Sequence, residues 1–477
     1  MSNTSANAPA GRRIDALLDP GSFVELAGGV TSRSTDFNEG AAKEPSDGVI
    51  TGYGLMDGRL VYIYSQNAAV MKGTVGEMHA KKIIHLYNMA MKMGAPVIGL
   101  IDSAGFRLTE ATDVLEALSR LYYKMTMASG VIPQISAIFG TCGGGMAVAA
   151  SLSDFVLMDK DNGRFFLNAP NAIPGKNEKE CDLSKADFQS AKSGNVDYVG
   201  DESEVLGAIR QLVGFLPSNC EENDAFEECT DDLNRLVEVG GAADDPGIIA
   251  YHLADNNLFF ETKKDYAKDM MTGFLRLGGM TVGVVANRKK VYGADGEVTD
   301  CIKGLTPFGC YKAASFVSFC DAFEIPVLTL SNVSGFHACE WAEQGLGRTS
   351  ARLVSALANA SVPKVNVITS ELMGSPYSIM NSKALGADMV YAWEGAKVGM
   401  MDAEMAAKIL NPDASADELK AKKAEYAEKL TGADAAYARG YVDAVIDPAQ
   451  TRKYLVGAFD MLLSKKEDLP FKKHGTK

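Results

Sequence analysis

The stretch Ala95-Pro-Val-Ile-Gly-Leu-Ile-Asp-Ser-Ala-Gly-Phe106 has a counterpart in Ile325-Pro-Val-Leu-Thr-Leu-Ser-Asn-Val-Ser-Gly-Phe336. Further on, Val131-Ile-Pro-Gln-Ile-Ser-Ala-Ile138 is matched by Ser361-Val-Pro-Lys-Val-Asn-Val-Ile368, and Gly144-Gly145 by Gly374-Ser375. Pro96, Pro133 and Gly144 each stand 230 residues before Pro326, Pro363 and Gly374. One spacing kept across three separated segments is the mark of a repeat. With two copies and so long a period it reads as a duplicated domain, not a solenoid.

Both copies have the same order of elements. An apolar helical run (Lys81 to Lys92; Tyr311 to Phe323) ends near a proline, and a buried strand follows (Val97 to Ile101; Val327 to Leu330). A glycine-containing loop leads to a second helix (Leu115 to Ser129; Arg348 to Ala360). A second strand (Gln134 to Phe139; Lys364 to Thr369) then ends in a turn that opens another helix. Strands alternating with helices imply an α/β fold, parallel pairing and ligands at the carboxyl ends of the strands. Ser218 to Pro246, rich in Asp, Glu and Asn, reads as the connection between domains at 1–240 and 241–477. Asn411 to Ala435 is rich in Ala, Lys and Glu and reads as a surface helix.

Composition narrows the function. Of 477 residues, 47 are Lys or Arg and 61 Asp or Glu, a net charge of −14 with no long basic run. That argues against nucleic acid or an anionic membrane as partner. No apolar stretch reaches the ~18 residues of a bilayer span, and the N-terminus lacks the apolar core of a signal peptide, so a cytoplasmic location is expected. Eight scattered cysteines contain no CxxC, and five histidines no HExxH, so neither a disulfide framework nor a zinc site is expected.

The apolar strand ending in Gly140-Thr-Cys-Gly-Gly-Gly145 before an Ala-rich helix has two readings. It is a tight turn that lets helix and strand pack closely. Or its backbone N–H groups hold negative charge developing on a thioester oxygen, helped by the helix dipole. A phosphate loop is set aside, because no GxxxxGK[ST] occurs.

Longer matches carry a family resemblance. Asp47-Gly-Val-Ile-Thr-Gly-Tyr-Gly54, Gly76-Glu-Met-His-Ala80, Asp102-Ser-Ala-Gly105, Ala128-Ser-Gly-Val-Ile-Pro-Gln-Ile135, Thr272-Gly-Phe-Leu-Arg-Leu-Gly-Gly279 and Met380-Asn-Ser-Lys383 resemble the carboxyltransferase subunit of biotin-dependent acyl-CoA carboxylases and decarboxylases, of the propionyl-CoA carboxylase β-subunit or transcarboxylase type. The resemblance implies two tandem crotonase-like domains built as ββα spirals, a homo-hexamer, and no metal bound by the chain. It also implies a coenzyme A thioester as substrate, with biotin on a separate carboxyl carrier protein. By the family's pattern, N–H groups of Gly144 and Gly145 hold the thioester oxygen, and an equivalent pair in the C-terminal domain of another subunit holds the ureido oxygen of carboxybiotin. Carboxybiotin then releases CO₂, its nitrogen takes the α-proton, and the enolate attacks CO₂. On the same basis Gly73, Ala104 and Gly105 flank the thioester half, and Gly335, Phe336 and Tyr377 the biotin half. Lys72, Arg107 and Lys312 are the cations placed to meet the phosphates of coenzyme A.

The chain departs from that pattern at Gly374-Ser-Pro-Tyr377, where the family has Gly-Gly-Ala-Tyr. The two biotin-side donors fall at Ser375 and Pro376, and proline has no N–H; Gly374 or Ser375 would have to compensate. Glu343-Gln-Gly-Leu-Gly347 is one residue shorter than its family counterpart, and Ser378 sits where the family tunes acyl selectivity. Three roles stay open: a carboxyltransferase working with biotin carboxylase, the same subunit in a decarboxylase coupled to membrane pump subunits, or a non-catalytic partner of a related subunit in a hetero-oligomer. Lesser features have plainer readings. Ala90-Met-Lys-Met93 matches a biotin-attachment tetrapeptide but lies at a helix end, so Lys92 is not expected to carry biotin. Cys142, His79 and His337 read as packing residues, while Glu110 and Glu116 would have to converge for a hydratase.

Overall fold

The computed structural model describes residues 7–37, 43, 46–175, 182–222, 225–293, 296–467 and 469–470. Cys181, His474 and part of the acidic connection therefore lie outside the described residues. Contacts divide the chain into two units, Met1–Ala225 and Phe226–Lys477. The division precedes the expected boundary at 240 because the connection binds the second unit. Glu227 N–H donates to the Gly279 carbonyl at 2.9 Å, and Val237 N–H to that of Ala449 at 3.0 Å.

In the first unit the sheet runs β1 (Val24–Leu26), β2 (Val49–Met56), β3 (Arg59–Gln66), β4 (Val97–Ser103), β5 (Gln134–Gly143), β6 (Phe155–Asp159) and β8 (Tyr198–Gly200), with β7 (Arg164–Phe166) beside the end of β5. Pairing is parallel from β3 onward, as alternation with helices requires. The edge β1–β2–β3 is antiparallel. Its signal was Asp57-Gly58: positive φ of 49° and 79° at successive residues makes the turn that suits a right-twisted hairpin. Helix α1 (Glu77–Met93) joins β3 to β4, α2 (Ala111–Ala128) joins β4 to β5, and the short α3 (Gly145–Ser151) follows β5. Gly94 ends α1 in the left-handed conformation, φ 59°. Ile83, Leu86, Tyr87, Val97, Ile101, Leu121 and Ile138 form the core between sheet and helices.

The second unit has the order β9 (Phe259–Thr262), β10 (Met270–Leu277), β11 (Met280–Asn287), β14 (Val327–Ser334), β15 (Lys364–Met373), β16 (Met389–Trp393) and β18 (Ala444–Ile446), with β17 (Lys397–Gly399) beside the end of β15. β12 (Lys290–Tyr292) and β13 (Val298–Asp300) pair separately. Gly278-Gly279, φ 60° and 86°, makes the β10–β11 hairpin. The equivalent helices are α4 (Pro307–Ala322), α5 (Leu346–Asn359) and α6 (Ser375–Ile379). Thr306 caps α4 by accepting the Gly309 N–H at 2.9 Å, with Pro307 in the first helical position. The expected surface helix is Ala416–Leu430, which buries no residue.

Candidate active site at the strand ends

β4 and β5 lose register beyond Ile101, and three backbone segments meet where they part. The Ala104 N–H donates to the Lys72 carbonyl at 3.1 Å, the Val75 N–H to Gly105 at 2.8 Å, and the Arg107 N–H to Val75 at 2.9 Å. The glycines are required by space. A Cβ on Gly73, φ 65°, would stand 2.1 Å from the Asp102 carbonyl oxygen, and one on Gly145 would stand 2.2 Å from the Phe106 ring. The structure thus brings Lys72, Gly73, Ala104, Gly105 and Arg107 together beside the glycine turn.

Within the turn, Gly144 has φ 58° and ψ −126°, a conformation closed to L side chains. Its N–H is already used, donating to the Phe166 carbonyl on β7 at 2.9 Å. The expectation that Gly144 supplies a free donor therefore meets a competing strand. Among the described residues no acceptor meets the N–H groups of Gly145 and Met146, the first two of α3, whose carbonyl partners would lie beyond the helix start. Tyr122 fixes them: its hydroxyl donates to the Gly145 carbonyl at 2.7 Å, and burial raises its pKa to about 12, keeping the proton on. Tyr122 could not be found from sequence, since nothing marks one tyrosine of a helix as reaching a turn 23 residues away.

The second unit repeats this arrangement at the same spacing. The Leu305 N–H donates to Gly335 at 3.1 Å, the His337 N–H to Leu305 at 3.0 Å, and the Gly374 N–H to Gly399 on β17 at 2.9 Å. Gly374, φ 71°, is thus occupied as Gly144 is, so it cannot compensate for a missing donor. Ser375 is exposed and its N–H meets no acceptor among the described residues; Pro376, the residue equivalent to Met146, has none to offer. Phe336 is partly exposed and Tyr377 half-buried beside this turn.

Two expected phosphate ligands are committed elsewhere. Arg107 is buried, donating to Asp47 at 2.5 Å, Glu110 at 2.8 Å and the Thr74 carbonyl at 2.8 Å. Burial raises the Asp47 pKa, an effect Arg107 opposes. Lys312 lies buried in the second unit, its Nζ donating to the carbonyls of Lys263 at 2.8 Å and Tyr266 at 2.9 Å. Burial lowers its pKa to about 7. Its counterpart Lys82, 230 residues earlier, is buried in the same way against Ser46 and Val49. Both lysines stitch a helix to the preceding segment. Lys72 alone of the three is exposed.

The remaining side chains fit a site that works through its backbone. Cys142 is buried, which holds its thiol far above the range of a nucleophile. His79 is pushed down to about 3 by burial, bonded at Nδ1 to the Asp47 carbonyl and at Nε2 to Gln66. His337 packs against Trp341. Glu110 accepts the Glu77 N–H and Arg107, whereas Glu116 pairs with Arg120 in solvent, so the two do not converge as a hydratase would need. Lys92 sits in the last turn of α1, not at a hairpin tip. No cluster of three His, Cys, Asp or Glu suited to a metal occurs among the described residues, and no helix there is long and apolar enough to cross a membrane.

The carboxyl transferase domain model matches residues 6–476. The chain is 39% identical over 480 residues to the propionyl-CoA carboxylase beta chain of Roseobacter denitrificans, covering 98% of this chain and 92% of that one. It is 38% identical over 484 residues to the methylmalonyl-CoA decarboxylase subunit alpha of Veillonella parvula, with the same coverage. Its fold superposes on the transcarboxylase 12S structure, a hexamer solved with hydrolysed methylmalonyl-coenzyme A, with a TM-score of 0.90 at 34% identity, covering 98% and 92% of the two chains.

Proposed function

The chain belongs to the carboxyl transferase domain family, and from that premise we propose that it moves a carboxyl group between carboxybiotin on a separate carrier protein and the α-carbon of an acyl-CoA. The observation that carries the reading is the pair of unengaged N–H groups at Gly145 and Met146, held rigid by Tyr122 and Phe106 at the end of β5. This shifts the proposed thioester donors one residue along from Gly144–Gly145. Fixed donors need no reorganisation as charge develops on the thioester oxygen, and each contributes roughly 3 kcal/mol to the transition state, about a hundredfold in rate. Lys72, beside the turn, is the cation left to meet a phosphate.

The carried group supplies the CO₂ equivalent and the base for the α-proton. On its side this chain offers the Ser375 N–H, with Pro376 in the place of a second donor, beside Gly335, Phe336 and Tyr377. The proposed architecture is a tandem duplication of crotonase-like ββα domains, supported by the four equivalent backbone hydrogen bonds 230 residues apart. The thioester falls to the first domain and carboxybiotin to the second. We place the protein in the cytoplasm as a hexamer, with a biotin carboxyl carrier protein and biotin carboxylase as partners.

Two other readings have support. Identity to the decarboxylase relative is nearly that to the carboxylase relative, so the same subunit could run in reverse beside membrane decarboxylase subunits. Pro376 would also suit a non-catalytic role in a hetero-oligomer with a related subunit. Carboxyl transfer between free biotin and propionyl- or methylmalonyl-CoA by the purified chain tests all three. Transfer supports the enzyme, and its absence with carrier present sinks it.

A further inference from the structure

Beside the Gly374 turn the second unit has a cavity of about 340 Å³, whose walls are largely apolar, with Val398, Met400 and Leu430 among them. Its polar lining is one-sided: Tyr377, Ser378, Tyr441 and Arg439, with no carboxylate. The hydroxyls of Tyr377, Ser378 and Tyr441 make no hydrogen bond among the described residues, and Arg439 makes no ion pair there. Tyr377 and Tyr441 are close enough that each disfavours ionisation of the other, which keeps both as donors. Arg439 is held at the rim by the carbonyls of Ala435 at 2.6 Å and Lys429 at 3.1 Å. Those bonds cap the Ala416–Leu430 helix, a sufficient structural reason for an arginine, but they use only two of its five N–H groups.

An apolar cavity with several donors, a cation and no acid matches an anion on a short apolar body. We propose that this cavity binds the carboxylate of a small organic acid, and that Arg439 makes the protein prefer an acyl chain ending in a second carboxylate over its uncharged isostere. This rests on the acyl-CoA reading given above and narrows it to a substrate class. The same chemistry could also serve a free dicarboxylate.

Equilibrium binding to the full-length protein separates these cases, with glutaryl-CoA, its isostere valeryl-CoA and free glutarate as probes. Glutaryl-CoA is expected to bind about tenfold more tightly than valeryl-CoA, in keeping with a charge-assisted hydrogen bond. Arg439→Gln should erase that preference while leaving valeryl-CoA binding unchanged, and Tyr441→Phe, which alters no packing volume, should reduce it. If free glutarate binds through Arg439 and the thioesters show no preference, the carboxylate pocket stands with a free acid as its ligand. Equal binding of both thioesters together with no glutarate binding overturns the proposal. Failure of the acyl-CoA reading looks different: no thioester binds and no carboxyl is transferred, whatever glutarate does.

Discussion

Replacing Pro376 by alanine should raise carboxyl transfer. In the first unit Gly145 and Met146 present two N–H groups; in the second, Ser375 presents one and Pro376 none, while Gly374 is engaged by Gly399 at 2.9 Å. Pro376→Ala therefore adds one donor at a position whose backbone is already helical. A full preorganised donor is worth roughly 3 kcal/mol, so the upper bound is about a hundredfold in kcat. The same change frees the unfolded chain and should cost about 0.4–1 kcal/mol of stability, a small fall in Tm. The assay is transfer from methylmalonyl-CoA to free biotin, with kcat and KM measured separately for each substrate. The gain should appear in kcat, with the KM for the thioester unmoved because the thioester donors lie in the other unit. An unchanged or lower kcat in a variant that melts cooperatively refutes the assignment of Pro376 to a donor position.

Four further outcomes are expected. Gly145→Ala places a methyl 2.2 Å from the Phe106 ring; overpacking should cost about 1–3 kcal/mol in chemical denaturation and depress transfer further by moving the turn. Tyr122→Phe removes the bond to the Gly145 carbonyl and should cost about 1 kcal/mol, with kcat falling more than KM rises. Lys72→Ala should raise the KM for CoA thioesters severalfold and leave Tm within about 1 °C, since the residue is exposed. Lys312 has its folded pKa lowered to about 7 by burial. Between pH 7 and its unfolded value of 10.5, the unfolded chain binds the extra proton, so its contribution to stability rises with pH across that window. Lys312→Met should flatten that rise in Tm between pH 7 and 10; an unchanged slope would count against the assignment.

Order and repetition were written in the sequence. The 230-residue spacing, the proline-led strands and the glycine-ended turns follow from local conformational preference and from the alternation of apolar runs. The residues that must meet at the end of β5 could thus be named in advance, and Gly73, Ala104, Gly105 and Gly145 do meet there. The two hairpins were also legible, in Asp57-Gly58 and Gly278-Gly279, though alternation with helices pointed only to parallel strands.

What a backbone group does with its hydrogen bond is settled over distance. Gly144 and Gly145 are indistinguishable in one dimension, yet β7 brings the Phe166 carbonyl to the first and nothing to the second. Arg107 and Lys312 looked like phosphate ligands until packing surrounded them with Asp47 and Glu110, or with two carbonyls. A buried charge must find partners within its own fold, so its neighbours use up the donors that sequence would assign to a ligand. The chain sequence therefore fixed which segments converge, and tertiary packing decided which of their donors remained free to bind anything else.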